Sequence, residues 1–413
     1  MRIFAYELKK IWNWRILALI IAMGALTWFS FLSESLRSYD SLTTHGIYGS
    51  YQNEMFRLYG DTLEPEELTD YDIPGKKAAL ISEMNEIISN EMIFAENNIY
   101  NYTQYKEFVD NGYSSDLSEE EQKIIRETMS TMQSKLDYGN STQTLDEWYA
   151  SPLVKIQTLE ALEDTYIDYE TSLRSYIEHD SRTVVVRTAE KLLEMRNANL
   201  IRYDIQMTFS LYAAVVGVFT VIAVIILIAP LLTTDRMWKL NLMQYSSTIG
   251  RRIFRLQFIA TIVSALVLSI ILITAAYIPF LASGAGDYWG AQMMSLAGWG
   301  IQLYNITFGQ YVLILAGMTL ALSVGTACFA FTLARLSTNI MMMLIKAVPV
   351  GIAVAGISVI SINMALMDNN IIFSTIFHGR IDAPEVMVCG FVAVVGLIVA
   401  VIISIREKRV DVA

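Results

Sequence analysis

Six runs of this chain are apolar around the whole circumference of a helix, over lengths that approach or exceed the roughly 20 residues needed to cross a hydrocarbon core. They cover residues 16–34, 207–232, 253–281, 308–336, 339–362 and 386–405. Between the first two lies a segment of another kind, residues 35–206, where apolar positions return every three or four residues, as on one face of a helix. In "KKAALISEMNEIISNEMIF" the stripe is Leu80, Met84, Ile87 and then Glu91 or Met92. "SEEEQKIIRETMSTMQSKL" opens with a capping-box pattern, Ser118 to Glu121, and continues through Ile125, Met129, Met132 and Leu136. Leu159, Leu162, Tyr166, Tyr169, Leu173 and Tyr176 keep an alternating 3-4 spacing, which predicts a helix packed along one seam. Pro, Gly and Asn mark breaks at "LEPEELTDYDIPG", "DNGYSSD" and "YGNSTQT". The last stretch, "RTVVVRTAEKLLEMRNANLIRYDIQ", holds no Gly or Pro, and predicts a single helix from about residue 182 to residue 232. Such a helix would make the segment a lever fixed to the second run.

Composition agrees with a chain divided between two solvents: 54% of the residues are hydrophobic and 17% charged, with a mean hydropathy of +0.40. The charges are sorted by place. Residues 36–206 hold 32 of the 41 acidic side chains and 15 of the 30 basic ones, a net of −17. If the six runs alternate across a bilayer, thirteen of the fifteen remaining Lys and Arg fall on one side, among them Lys9, Lys10, Arg236, Arg251, Arg252, Arg335 and Arg406. The positive-inside rule then makes both termini cytoplasmic and the acidic segment extracellular. Lys346 sits near enough to the inner end of the fifth run to snorkel. The expected fold is an all-α membrane protein, six transmembrane helices with a helical extracellular domain inserted between the first and second spans.

Three shorter stretches carry further information. In residues 1–15, Ile3, Phe4, Leu8, Ile11 and Trp12 share one helical face while Arg2, Lys9, Lys10 and Asn13 share the other, as in a helix lying along the inner membrane surface. A basic flank before an apolar run also fits a signal peptide, but no small-residue cleavage site follows "WFSFLSES". In residues 233–252, Trp238, Leu240, Leu242, Met243 and Tyr245 form a short apolar element among Lys239, Asn241 and Gln244, and an exposed apolar patch at a turn marks a docking surface. In residues 363–385, Ile371, Ile372, Phe373, Ile376 and Phe377 lie between polar turns and predict a re-entrant segment dipping into the outer leaflet, with Ile372, Phe373, Phe377 and His378 as gate residues.

Several chemistries are disfavoured. Cys328 and Cys389 fall within apolar runs and read as small buried hydrophobes. "PGKKA", residues 74–78, lacks the upstream glycine and the Ser or Thr of a P-loop, so no nucleotide site is expected in this chain. His378, Asp382 and Glu385 have helical spacing, but Gly379 and Pro384 interrupt it and no second His is near, which argues against a metal. A membrane-embedded enzyme or ion-coupled carrier needs ionisable residues inside the spans, and apart from Lys346 essentially none are expected there.

An N-terminal amphipathic helix, one span, a large insertion, and five further spans with the loop "DRMWKLNLMQYSSTIGRRIFRLQ" after the second resemble the type-2 ATP-binding-cassette permeases, or type V exporter subunits, of Gram-positive bacteria. The resemblance covers all six spans. For the inserted domain it extends only to position and helical character. It implies a coupling helix over residues 238–247, a connecting helix formed by Phe4, Leu8, Ile11 and Trp12, and a plasma-membrane location with a cytoplasmic tail at 406–413. It also implies partner ATPase subunits that hold the ATP and Mg, a second permease of the same or a related chain, contact with membrane lipid, and no role for nucleic acid. The cargo would be an amphipathic peptide, an antimicrobial peptide or a lipid-like molecule, with export as the direction. The competing expectation is a receptor or sensor whose extracellular helical domain binds a ligand. That reading calls for a cytoplasmic catalytic or phosphoacceptor domain, which residues 406–413 do not supply.

Overall fold

A computed structural model describes residues 2–37, 49–112, 119–137, 148, 150–195, 198–201, 203–237, 248–297, 300–367, 370–377 and 380–408. Helix α1 (Arg2–Ile11) ends where Trp12 and Asn13 turn the chain. Asn13 then caps α2 (Trp14–Thr27), its side-chain oxygen accepting from the Arg15 backbone N–H at 3.0 Å. Helix α2 passes through one π turn, Trp28–Leu32, and the apolar helix as a whole covers Trp14–Arg37. It is peripheral: along its length Ile20 and Leu32 are buried, while Trp14, Ile21, Leu26 and Phe29 face outward. Apolar side chains left outward over so long a helix are what a lipid environment demands.

The described residues contain six helices long and apolar enough to cross a membrane, as the hydropathy pattern predicts. The second to sixth lie within α12 (Tyr203–Met237), α13 (Thr248–Ala282), α14 (Phe308–Arg335), α15 (Ile340–Ile362) and α17 (Pro384–Lys408). Helix α14 is the centre of the bundle, packed on α12, α13, α15 and α17. It begins with a reciprocal capping box, Thr307 with Gln310, and stops at Arg335. The next helix starts five residues on, capped by Asn339, whose side chain accepts from the Met342 N–H at 2.8 Å. Three hydroxyls inside the bundle are satisfied locally: Thr220, Thr319 and Thr326 donate to the carbonyls of Val216, Leu315 and Leu322 on their own helices.

The inserted segment folds as a helical domain. Its elements are α3 (Gly49–Tyr59), β1 (Thr62–Leu63), α4 (Pro65–Asp70), α5 (Ile73–Asn90), α6 (Met92–Glu96), α7 (Tyr102–Gly112), α8 (Glu119–Leu136), α9 (Pro152–Tyr166), α10 (Tyr169–His179), α11 (Thr183–Met195) and β2 (Ala198–Asn199). Helix α9 is the spine. Its Leu153 and Ile156 enter one core with Met84, Ile88, Met132 and Leu136, while Leu159 and Leu162 enter another with Tyr71, Tyr169, Leu173 and Leu192. The predicted seam from Leu159 to Leu173 is therefore present, although the helix breaks at Ile167 and Asp168.

Three expectations need correction. Met92 does not extend the stripe of α5: that helix stops at Asn90, Met92 is 75% exposed, and Ile88 takes the buried place. "LEPEELTDYDIPG" contains an ordered turn of helix, α4, closed by Glu64 and Glu67 as a capping box. The uninterrupted helix from 182 to 232 is not formed. Helix α11 ends at Met195, β2 pairs antiparallel with β1 through Ala198 and Asn199, and α12 starts afresh at Tyr203. The reason is non-local: buried Asn199 donates its side-chain amide to the carbonyl of Met294, a contact a continuing helix would forfeit.

That contact belongs to a wider junction. The chain between α13 and α14 forms a small hairpin, β3 (Leu296–Ala297) with β4 (Gly300–Ile301), and Met294, Leu296 and Ile301 are buried in the core of the inserted domain. The domain is thus tied to the bundle by shared core, rather than carried on a rigid extension of one span.

Candidate functional site

The connecting-helix residues converge on the bundle. Ile11 is buried, and Phe4, Leu8 and Trp12 pack against the same cluster as Val224, Leu227, Phe331 and Ala334. Trp12 Nε1 donates to Ser264 Oγ of α13 at 3.2 Å. Helix α1 runs against α13, as its apolar face predicts.

Sequence reasoning missed what holds this helix in place. Glu7, Gln257 and Arg335, from α1, α13 and α14, are all buried. Gln257 Nε2 donates to Glu7 Oε2 at 3.2 Å, and its Oε1 accepts from Arg335 Nη2. Lys10 adds a partly screened charge 3.8 Å from the Glu7 carboxylate. The Arg335 guanidinium lies 4.3 Å from the ring centroid of Phe254 and 5.4 Å from that of Phe331, so its faces are covered by aromatic quadrupoles. A signal was available: Glu7 sits between Phe4 and Ile11 on the apolar face of α1, where a carboxylate needs a partner. The expectation that Lys346 is essentially the sole ionisable residue of the spans is corrected by Arg335 and by Glu385, which lies in the first turn of α17. Lys346 donates to the Leu336 carbonyl at 3.0 Å.

The proposed coupling residues Trp238, Leu240, Leu242, Met243 and Tyr245 lie outside the described residues, as does His378. The helices on either side, ending at Met237 and restarting at Thr248, reach further into the 233–252 loop than hydropathy alone indicates.

At the opposite end of the bundle, the described residues of 363–385 form a strap. It holds α16 (Ile371–Phe377), where Phe373 is buried, Ile372 and Ile376 are exposed, and the rings of Phe373 and Phe377 stack 6.1 Å apart at 9°. Three non-glycine residues of the strap, Met364, Leu366 and Ala383, have φ of 54°, 59° and 47°. Each is costly for an L-residue, and each must be held by its surroundings. The Met364 N–H donates to Ser210 Oγ at 3.0 Å, Leu366 is buried, and the Ala383 N–H donates to Tyr304 Oη at 2.8 Å. Burial keeps the Tyr304 phenol above its ordinary value of 10.0, so it is un-ionised at neutral pH. Arg187 of α11 closes the strap from the inserted domain, Nη2 to Asp382 Oδ1 2.7 Å.

Beneath the strap is a cavity of about 40 Å³ lined by Val185, Tyr304, Asn370, Phe373 and Glu385. Glu385 is 4% exposed, and its Oε2 has no hydrogen-bond partner among the described residues. The space suits water-sized occupants and is far below that of a drug-sized pocket. Among the described residues no group of three His, Cys, Asp or Glu could hold a metal. Of the trio with helical spacing, Asp382 is engaged by Arg187 and His378 lies outside the described residues. Compared with known protein families, curated proteins and solved structures, the chain gives no match.

Proposed function

We propose that this chain is the membrane-spanning permease subunit of an ATP-binding-cassette exporter, with both termini cytoplasmic and the inserted domain outside the cell. ATP would be hydrolysed by a separate ATPase, and the cargo would be an amphipathic peptide or lipid-like molecule. The observation that carries the reading is the seating of α1. An amphipathic helix is locked by buried polar bonds to the ends of α13 and α14, beside the loop where Trp238, Leu242 and Met243 would meet the ATPase. A helix serving only as a surface anchor has no need of a buried Glu7. The sequence supports the division of labour, since its one Gly-Lys pair of P-loop type lacks the other phosphate-binding residues.

The test is purification from the native membrane. The expected complex contains a P-loop ATPase and hydrolyses ATP, while the chain alone does not. Replacing Trp238, Leu242 and Met243 together by Asp should leave the permease in the membrane and remove the ATPase. ATP hydrolysis by the isolated chain, or an ATPase still held by the triple variant, would overturn the proposal.

A further inference from the structure

Helices α7, α8 and α9 share one core of the inserted domain, yet they do not close over it completely. Gly112 lets α7 approach α8 at one end, where a Cβ would stand 2.8 Å from Ile125 Cγ2 and from Met129 Sδ. Lys106 ties α7 to α9 through Glu160 at 2.9 Å. The three helices leave a cleft of about 400 Å³, within the range of small-molecule sites. Buried Tyr105, Met129 and Leu153 give it an apolar floor.

The charged groups that line the cleft come in both signs. Lys106 and Glu160 satisfy each other. Arg126 of α8 and Asp110 of α7 are both exposed, and among the described residues neither side chain makes a hydrogen bond or an ion pair. Asp110, one turn beyond Lys106, acts on it only through the field. A guanidinium is thus left with its donors free in a segment where 32 acidic side chains stand against 15 basic ones.

An independent observation comes from Tyr102, which lines the cleft and is 7% exposed. Its backbone N–H donates to Asn85, but among the described residues its hydroxyl has no hydrogen-bond partner, although a buried phenol ordinarily finds one. Unlike the enclosed hydroxyl of Tyr169, that of Tyr102 is open at the surface. Burial first, then Glu160, Tyr105 and Asp110, hold the phenol above its ordinary value of 10.0, so the hydroxyl and the two carboxylates belong to one end of the cleft.

We infer that this cleft binds a free amino acid as its zwitterion, with an apolar side chain lying on the floor. The Arg126 guanidinium, a planar fork of donors, would take the carboxylate. The ammonium would sit between Asp110 and the Tyr102 oxygen. A purely anionic ligand meets Asp110 and Glu160 as like charges, and a purely cationic one meets Arg126 and Lys106, so only a ligand of both signs complements the walls. Binding here stands apart from the exporter reading.

The experiment titrates three probes into the full-length chain in detergent, without any ATPase, by isothermal titration calorimetry. They are L-phenylalanine, its amide, which lacks the carboxylate, and its N-acetyl form, which lacks the ammonium. At about pH 6 the amide remains a cation. L-phenylalanine should bind about tenfold more tightly than either relative, as expected for one hydrogen-bonded charge. Arg126→Gln should erase its advantage over the amide, and Asp110→Asn its advantage over the N-acetyl form. Tyr102→Phe should weaken it about fivefold, as expected for one hydrogen bond. Lys191→Gln, exposed on α11 outside the cleft, removes the same charge as Arg126→Gln and should change nothing. Unaltered thermal unfolding would show each variant folded. Equal binding of the three probes, no binding of L-phenylalanine at millimolar concentration, or maltose binding in its place would overturn the inference. Because no ATPase is present, such failure would leave the exporter reading to its own co-purification test.

Discussion

Arg187 and Asp382, 195 residues apart in sequence, meet through a 2.7 Å hydrogen-bonded ion pair that joins the inserted domain to the strap before α17. Their side chains are 51% and 60% exposed, so solvent screens most of the attraction. The contact positions two elements more than it stabilises them.

A double-mutant cycle on Arg187→Ala and Asp382→Ala should therefore give a coupling of less than about 1 kcal/mol in thermal unfolding. A coupling above about 2 kcal/mol would show that the pair is buried in a way its exposure denies.

Glycines separate into two classes by what a Cβ would meet. At Gly396 it would stand 2.8 Å from the Gly325 carbonyl oxygen and 3.0 Å from its Cα, and at Gly325 it would stand 2.8 Å from the Val392 carbonyl oxygen. Helices α14 and α17 touch backbone to backbone there, the close approach that small residues permit in membranes. Gly396→Ala and Gly325→Ala should each destabilise by about 1–3 kcal/mol. Gly390→Ala and Gly317→Ala, on the same two helices with nothing within 4 Å, should be neutral or slightly stabilising. Thermal unfolding of the four variants in one detergent separates the classes, and equal effects would refute the close contact.

The pair Arg182 and Asp180 predicts a pH dependence. Hydrogen bonds from the Arg182 side chain to Asp180, Nε to Oδ1 3.0 Å and Nη2 to Oδ2 2.5 Å, hold the carboxyl below its ordinary value of 3.8, helped by the Arg182 backbone N–H. A carboxyl depressed in the folded state contributes stability that is fully present above its unfolded value and is lost as pH falls through the folded one. The difference in unfolding temperature between wild type and Asp180→Asn should be constant near neutrality and shrink below about pH 4. A difference that widens on acidification would contradict the assignment.

What the sequence made legible follows from the range of the forces involved. The spans were readable because lipid imposes one rule on every face of about 20 residues. The stripe from Met129 to Leu136 and the seam from Leu159 to Leu173 were readable because a helix repeats locally. The helix predicted through Asn199 failed, because its fate is decided by β1, more than a hundred residues earlier, and by Met294, nearly a hundred later. The partner of Glu7 stayed hidden for the same reason: a carboxylate on the apolar face of α1 calls for one, but Gln257 lies 250 residues away.

That network supports the strongest prediction. Gln257 bonds both to Glu7 of α1 and to Arg335 of α14, and all three are buried. Gln257→Leu keeps the volume while removing one hydrogen bond from a buried carboxylate and one from a buried guanidinium, and hydrogen bonds to charged groups are worth about 1.5–3 kcal/mol each. Unfolding should therefore become easier by about 3 kcal/mol, and α1, the smallest element involved, should be the first to lift away. A cysteine placed at Ile11, 1% exposed in the native chain, should resist maleimide in the wild-type background and react readily beside Gln257→Leu. If the cysteine stays protected and the unfolding temperature is unchanged, α1 is held by its apolar face alone, and the seating that supports the exporter reading loses its basis.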